Sequence, residues 1–165
     1  NGIGNRGVLQ LTRLENLEKL SIAQTTTTDQ GVLSLTKLRY LRDLNLSHTT
    51  ISDSAMIPLI GMGFLNILDL SSTNISDSGM LHIGKLARLN TLNLKKTKVS
   101  DKGIGHLGDL MRLETLNLQE TRVGDAAVGH LSKLRLLNHL RLYSTRISPS
   151  GKEKLQNALP TTEID

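Results

Sequence analysis

The sequence predicts an α/β right-handed solenoid, with short parallel strands on a concave face and short helices on a convex one. Three observations predict it. The apolar skeleton of Leu92-Asn93-Leu94-Lys95-Lys96-Thr97-Lys98-Val99-Ser100-Asp101-Lys102-Gly103-Ile104 returns every 24 residues with no insertion. A period of that length belongs to architectures in which each unit buries its apolar face against its neighbours. Within each unit, pairs such as Leu44 and Leu46, Leu68 and Leu70, Leu92 and Leu94, or Leu116 and Leu118 alternate with polar residues, the period of a strand. An aspartate then precedes apolar residues at helical spacing, as in Asp77 followed by Met80, Ile83 and Leu86. Handedness follows the strand-crossover rule.

Each coil is justified in the same order. After the strand comes a column of Thr25, Thr49, Thr73, Thr97, Thr121 and Thr145, read as a structural ladder whose hydroxyls satisfy backbone groups of adjacent coils. Two residues on, Thr27, Ile51, Ile75, Val99, Val123 and Ile147 form a core column. Asp29, Asp53, Asp77, Asp101 and Asp125 follow, with the spacing of helix N-caps whose carboxylates accept orphan amide hydrogen bonds. Gly31, Ala55, Gly79, Gly103, Ala127 and Gly151 then keep the first helical turn small, so that neighbouring coils pack. The last helix runs through Gly151 to Leu159, Pro160 stops it, and Ile164 falls in the strand column of Leu116 and Leu140. At the other end Asn1 falls in the threonine column, with Ile3, Val8 and Leu11 at core positions. Residues 1–165 are therefore expected to form a single domain of six to seven repeats, truncated at its N-terminal end.

The runs Leu65-x-x-Leu68-x-Leu70-x-x-Thr73-x-Ile75 and Leu89-x-x-Leu92-x-Leu94-x-x-Thr97-x-Val99 resemble the leucine-rich repeat family, whose signature is L-x-x-L-x-L-x-x-N/C-x-L. Threonine stands where Asn or Cys is usual. With the Ser-Asp-x-Gly that follows, the repeat is similar to a shortened form of the cysteine-containing class found in bacterial and F-box-type proteins. The resemblance spans essentially the whole chain. It implies a curved parallel sheet inside and helices outside, and it permits a substrate-reader role in ubiquitin ligation or a bacterial effector role. It implies no reaction, since one architecture serves many functions.

Composition excludes several classes. Aromatic residues make up 2% of the chain, so the core is expected to be layers of Leu, Ile and Val. No stretch approaches the roughly 20 apolar residues of a membrane span, and no signal-peptide pattern opens the sequence. Cysteine is absent, which removes zinc ribbons, thiol catalysis and disulfide caps; secreted members of the family it resembles usually carry such caps, so the resemblance implies an intracellular, cytoplasmic location. Two glycosylation sequons, Asn45-Leu46-Ser47 and Asn74-Ile75-Ser76, lie inside the repeat pattern, where Asn and Ser recur anyway.

Strand residues alternating with the leucines point to the concave face. They run from Lys19, Ser21 and Ala23 in the first coil, through small and mildly acidic residues, to amides, bases and a tyrosine in the last three. Asn93, Lys95, Asn117, Gln119, His139, Arg141 and Tyr143 are accordingly the candidate partner-binding residues, because concave faces bind and Arg and Tyr are enriched at hot spots. Charge is uneven: residues 1–82 hold six bases and seven acids, residues 83–165 fourteen and eight. That balance favours an acidic partner surface. Nucleic acid is disfavoured for want of aromatics and of any RNA or DNA motif.

His82, His106 and His130 share one helical column, but helices roughly 8 to 10 Å apart cannot bring three rings onto one zinc. The aspartates are tied to helices and repeat five times, so they do not form a catalytic pair, and no strained nucleophile elbow accompanies any serine. The expectation is a non-enzymatic protein-interaction module that needs no cofactor and no metal and is a monomeric fragment of a larger chain. The alternatives are a structural spacer or capping array and a basic-face nucleic-acid binder.

Overall fold

The computed structural model describes residues 4–165; Asn1 of the threonine column and Ile3 of the expected opening core lie outside them. Seven strands, β1 (Lys19–Ser21), β2 (Asp43–Asn45), β3 (Ile67–Asp69), β4 (Thr91–Asn93), β5 (Thr115–Asn117), β6 (His139–Arg141) and β7 (Glu163–Ile164), form one parallel sheet in sequence order. The register is the 24-residue period itself: Leu20, Leu44, Leu68, Leu92, Leu116, Leu140 and Ile164 stand side by side. Between the strands run α1 (Asn5–Leu11), α2 (Asp29–Ser34), α3 (Met56–Leu59), α4 (Asp77–Ile83), α5 (Asp101–Ile104), α6 (Val128–Leu131) and α7 (Pro149–Ala158). Four of these coils add a single 3-10 turn beside the helix. A 24-residue coil leaves room for little more than one or two turns, and the tighter 3-10 geometry serves such short pieces. α7 stops at Ala158, before Pro160 as expected.

Leucine layers fill the space between sheet and helices. Leu44, Leu68, Leu92, Leu116 and Leu140 are fully buried, and so are Leu46, Leu70, Leu94 and Leu118 behind them. Val8 joins this core, while Leu11 packs against it only partly buried. Thr27, the polar member of the Ile/Val column, is also buried, and its hydroxyl meets that of Thr25 at 2.8 Å.

The threonine ladder works within each coil, which corrects the expectation of bonds between coils. Thr25, Thr49, Thr73, Thr97, Thr121 and Thr145 each donate their hydroxyl to the carbonyl three residues earlier, at 2.6–2.8 Å. That carbonyl needs a partner for a specific reason. The amide that would continue the ladder to Leu46, the N–H of Ser71, turns instead to Asp69 Oδ1 at 2.8 Å. Asn45, Asn93 and Asn117 capture the amide two residues on in the same way. The residue before each threonine is left-handed: Gln24, His48, Ser72, Lys96, Glu120 and Ser144 have φ of 55–59°. None is glycine, and the first five are held there by an amide bond to the next coil, such as His48 N–H to Ser71 O at 2.9 Å.

The aspartates do not cap their own helices, a second correction. The N-cap positions belong to Thr28, Ser52, Ser76, Ser100 and Gly124, and each aspartate is the first helical residue. Its carboxylate reaches the cap of the following coil. Asp77 accepts the Ser100 amide at 2.7 Å, the Ser100 hydroxyl at 2.6 Å and the Gly103 amide at 3.0 Å. Asp29, Asp53 and Asp125 hold Ser52, Ser76 and Ser148 likewise. The chemistry is that of a cap, delivered 23 residues downstream. The two Ser148 bonds hold the exposed Asp125 carboxyl below the ordinary value of 3.8, so this link is complete above that pH and weakens as acid protonates the carboxylate.

The small-residue column now has a reason. A Cβ on Gly79 or Gly103 would stand 2.6 Å from the Asp53 or Asp77 carboxylate. Gly124 is different: an added Cβ there meets nothing closer than 3.5 Å, and Asp101, bonded to the Gly124 amide, lacks the serine hydroxyl its counterparts hold. Gly124→Ser is expected to restore that bond and raise stability by about 0.5–1.5 kcal/mol. A lowered midpoint in urea unfolding would overturn this.

Candidate functional site

The open face of the sheet carries the residues that flank the buried leucines. All seven predicted partner-binding residues lie on β4–β6 or just beyond them, but the structure divides them. Asn93 and Asn117 spend Oδ1 on the exit turns, and Asn93 Nδ2 also donates to Asp69 Oδ2 at 3.1 Å. Lys95 pairs with Glu120 at 3.2 Å. Gln119 donates to Asp165 Oδ2 at 3.0 Å, and His139 Nδ1 meets Glu163 Oε2 at 2.9 Å.

Arg141 and Tyr143 remain. Among the described residues neither the Arg141 guanidinium nor the Tyr143 hydroxyl has a hydrogen-bond or ion-pair partner, and Tyr143 is 69% exposed. The reason is local. Arg141 occupies the column of Asn45, Asp69, Asn93 and Asn117, yet does not lock its own turn. Asp165, one period later, accepts the amides of Leu142 and Tyr143 instead, at 2.5 and 3.1 Å. Freed from the turn, the Arg141 side chain borders a shallow hollow of about 250 Å³ that crosses β3–β6, with Ile67, Asp69, Thr91, Thr115 and Asn117 among its lining.

Sequence reasoning places Ile67, Asp69, Thr91 and Thr115 on the same concave face but outside the candidate set, which follows charge and amide content toward the last coils. The break in the column at Arg141 was visible in the sequence and marks the same place. Glu120 and Glu163 were missed as neutralising partners, and with them paired the patch is less basic than composition suggests.

The Leucine Rich repeat family model matches residues 37–59 and 64–84, two consecutive units of the 24-residue period seen throughout the sheet. The fold is that of a leucine-rich repeat solenoid. No curated protein matches it. Among solved structures, the repeat protein is similar to an internalin, InlF, from Listeria monocytogenes, with a TM-score of 0.77 and 21% identity over 95% of this chain and 49% of that one. Internalin C2 from the same organism gives a TM-score of 0.71 and 23% identity over 100% of this chain and 77% of the other. A plant peptide hormone receptor, RGFR1, in complex with RGF2, gives 0.62 and 19% over 94% and 25%. At these identities the likeness is one of fold. The chain spans about half the length of InlF.

Among the described residues of the repeat protein, no group of three or more His, Asp or Glu side chains is placed to hold a metal ion. His106 and His130 are exposed and His82 is partly buried, its Nδ1 without a partner. No described helix is long and apolar enough to cross a membrane.

Proposed function

We propose that this leucine-rich repeat array is a non-enzymatic protein-recognition module that docks a protein segment on the open sheet face, centred on Arg141 and Tyr143. One observation carries the reading: Arg141 follows four successive residues, Asn45, Asp69, Asn93 and Asn117, that lock their own turns, and it borders the hollow without an ion pair. A solvated structural position gains nothing from that substitution. A recognition position gains a planar donor fork for carboxylate or carbonyl groups. Beside it, Tyr143 offers a large amphipathic side chain at low entropy cost. A peptide-sized occupant suits the hollow, and one structural neighbour is a peptide hormone receptor in complex with RGF2. The absence of cysteine keeps an intracellular location within this reading.

Arg141→Ala and Tyr143→Ala are each expected to weaken partner binding by about 1–2 kcal/mol while changing stability by less than about 0.5 kcal/mol. Titration calorimetry against a partner isolated with the unaltered protein, alongside urea unfolding, measures both. Unchanged affinity in both variants would favour the spacer alternative. Sequencing the adjoining gene tests the ubiquitin-reader and effector roles, since an F-box or ligase domain would assign the first.

A further inference from the structure

A second set of cations without ion pairs lies on the edge where helices return to strands. Tyr40 and Phe64 sit one period apart there, ring centroids 6.2 Å apart. The period continues as Arg88 and Arg112. Arg88 lies over the Phe64 ring at 5.0 Å from the following coil, and Arg42 at 5.7 Å from the preceding one. Such cation–π contacts hold guanidinium groups in fixed places without neutralising them. Only Arg42 has an acid, Glu18 at 3.6 Å. Lys37, Arg39, Lys85, Arg88 and Arg112 are exposed and form no ion pair among the described residues.

Two depressions accompany these charges. One of about 390 Å³ is lined by Glu15, Lys37, Arg39 and Tyr40. Another, of about 200 Å³, has an apolar floor of Ile60, Met62, Leu65 and Leu86, with Lys85 and Arg88 on its walls. A surface lysine or arginine that is merely solvated needs no apolar hollow beside it. Cations above an apolar floor complement a chain that alternates carboxylates with aliphatic side chains.

We propose that this edge, over the second to fifth coils, is a second docking surface, whose partner is an extended acidic protein segment bearing aliphatic side chains. Charge complementarity selects the sign of the partner. The ring geometry bears on its class: arginines from both neighbouring coils lie over Phe64 and compete there with the base stacking that single-stranded nucleic acid uses. Neighbouring strands are about 4.8 Å apart, so the three intervals from the second to the fifth coil span roughly 14 Å. Four or five extended residues at about 3.3 Å each cover that distance.

The probe is a fluorescein-labelled nine-residue peptide, Asp-Asp-Leu three times over, followed by anisotropy with this protein at low and physiological salt. Nine-residue poly-Asp and a dT9 oligonucleotide are the comparison ligands. Binding is expected to fall about tenfold or more in the Lys85→Glu, Arg88→Glu double variant, several-fold in Arg88→Ala, and less than twofold in Arg141→Ala. Poly-Asp is expected to bind more weakly than the leucine-containing peptide because it leaves the apolar floor empty. Thermal unfolding of each variant verifies that the fold is intact. Peptide affinity unchanged in the edge variants would overturn the proposal. Poly-Asp bound as tightly as the mixed peptide would reduce the edge to general electrostatics and overturn it, and dT9 bound more tightly than either peptide would assign the edge to nucleic acid.

Discussion

Leu92→Ala is expected to lower the unfolding free energy by about 2–5 kcal/mol, the cost of deleting a buried leucine whose surroundings cannot close the gap. Leu92 is fully buried at the centre of β4, with Leu68 and Leu116 in register on either side. Those neighbours are fixed by the same 24-residue spacing, so little can move inward to fill the cavity. The core of each coil packs against the coils beside it, and stability is a sum of unit and interface terms. A central layer therefore weakens two interfaces at once. The shift in urea midpoint at constant slope measures the effect. Leu20→Ala, at the partly buried leucine of β1, is expected to cost less. Equal losses at the two positions would show that the array does not behave as a chain of nearest neighbours.

Asp77→Ala is expected to cost about 1–3 kcal/mol, because three charge-assisted bonds are lost and the Ser100 amide loses its acceptor, while the Gly103 amide keeps the Ser100 carbonyl at 3.0 Å. The loss falls on the next coil: the Ser100 amide and hydroxyl and the Gly103 amide all give up the carboxylate. Asp77→Asn is expected to recover most of it. The first coil already contains that solution: Asn5 Oδ1 accepts the Thr28 amide at 3.0 Å, and its Nδ2 donates to the Thr28 hydroxyl at 2.9 Å. Amide exchange distinguishes this arrangement from an ordinary cap. Protection is expected to drop at Ser100 and Gly103, not at residues 78–80. A loss confined to the Asp77 helix would restore the within-helix reading. Neither substitution touches Arg141 or the Phe64 edge, so partner binding and peptide binding are expected to survive both.

The two surfaces ask different things of the fold. On the sheet face most polar side chains are engaged in holding the coil: Asn93 and Asn117 lock turns, and Lys95, Gln119 and His139 have partners. Few side chains remain to recognise anything, and Arg141 and Tyr143 stand out for that reason. On the return edge backbone amides such as those of Asn66 and Asn90 bond to carbonyls of the preceding coil, and the side chains of Lys85, Arg88 and Arg112 form no ion pair among the described residues. Charge read from composition placed the acidic partner on the late concave strands. Glu120 and Glu163 engage Lys95 and His139 there, while Lys85, Arg88 and Arg112 on the edge stay without ion pairs.

The sequence by itself determined the coil. The period, the strand register from Leu20 to Ile164, the buried leucine layers and the small column at Gly79 and Gly103 all follow from spacing, because every unit meets only copies of itself and a repeated pattern has one way to stack. Only the tertiary structure decided the hydrogen bonds. Threonine hydroxyls turned back into their own coils because Asp69 and its counterparts had taken the amides that would have continued the ladder. Aspartate carboxylates reached forward, because the nearest orphan amide belonged to a residue 23 positions away in sequence and adjacent in space. The candidate site divided on the same ground. A side chain's type is legible in the chain, but whether its polar atoms are already spent depends on neighbours that the sequence places a full period apart.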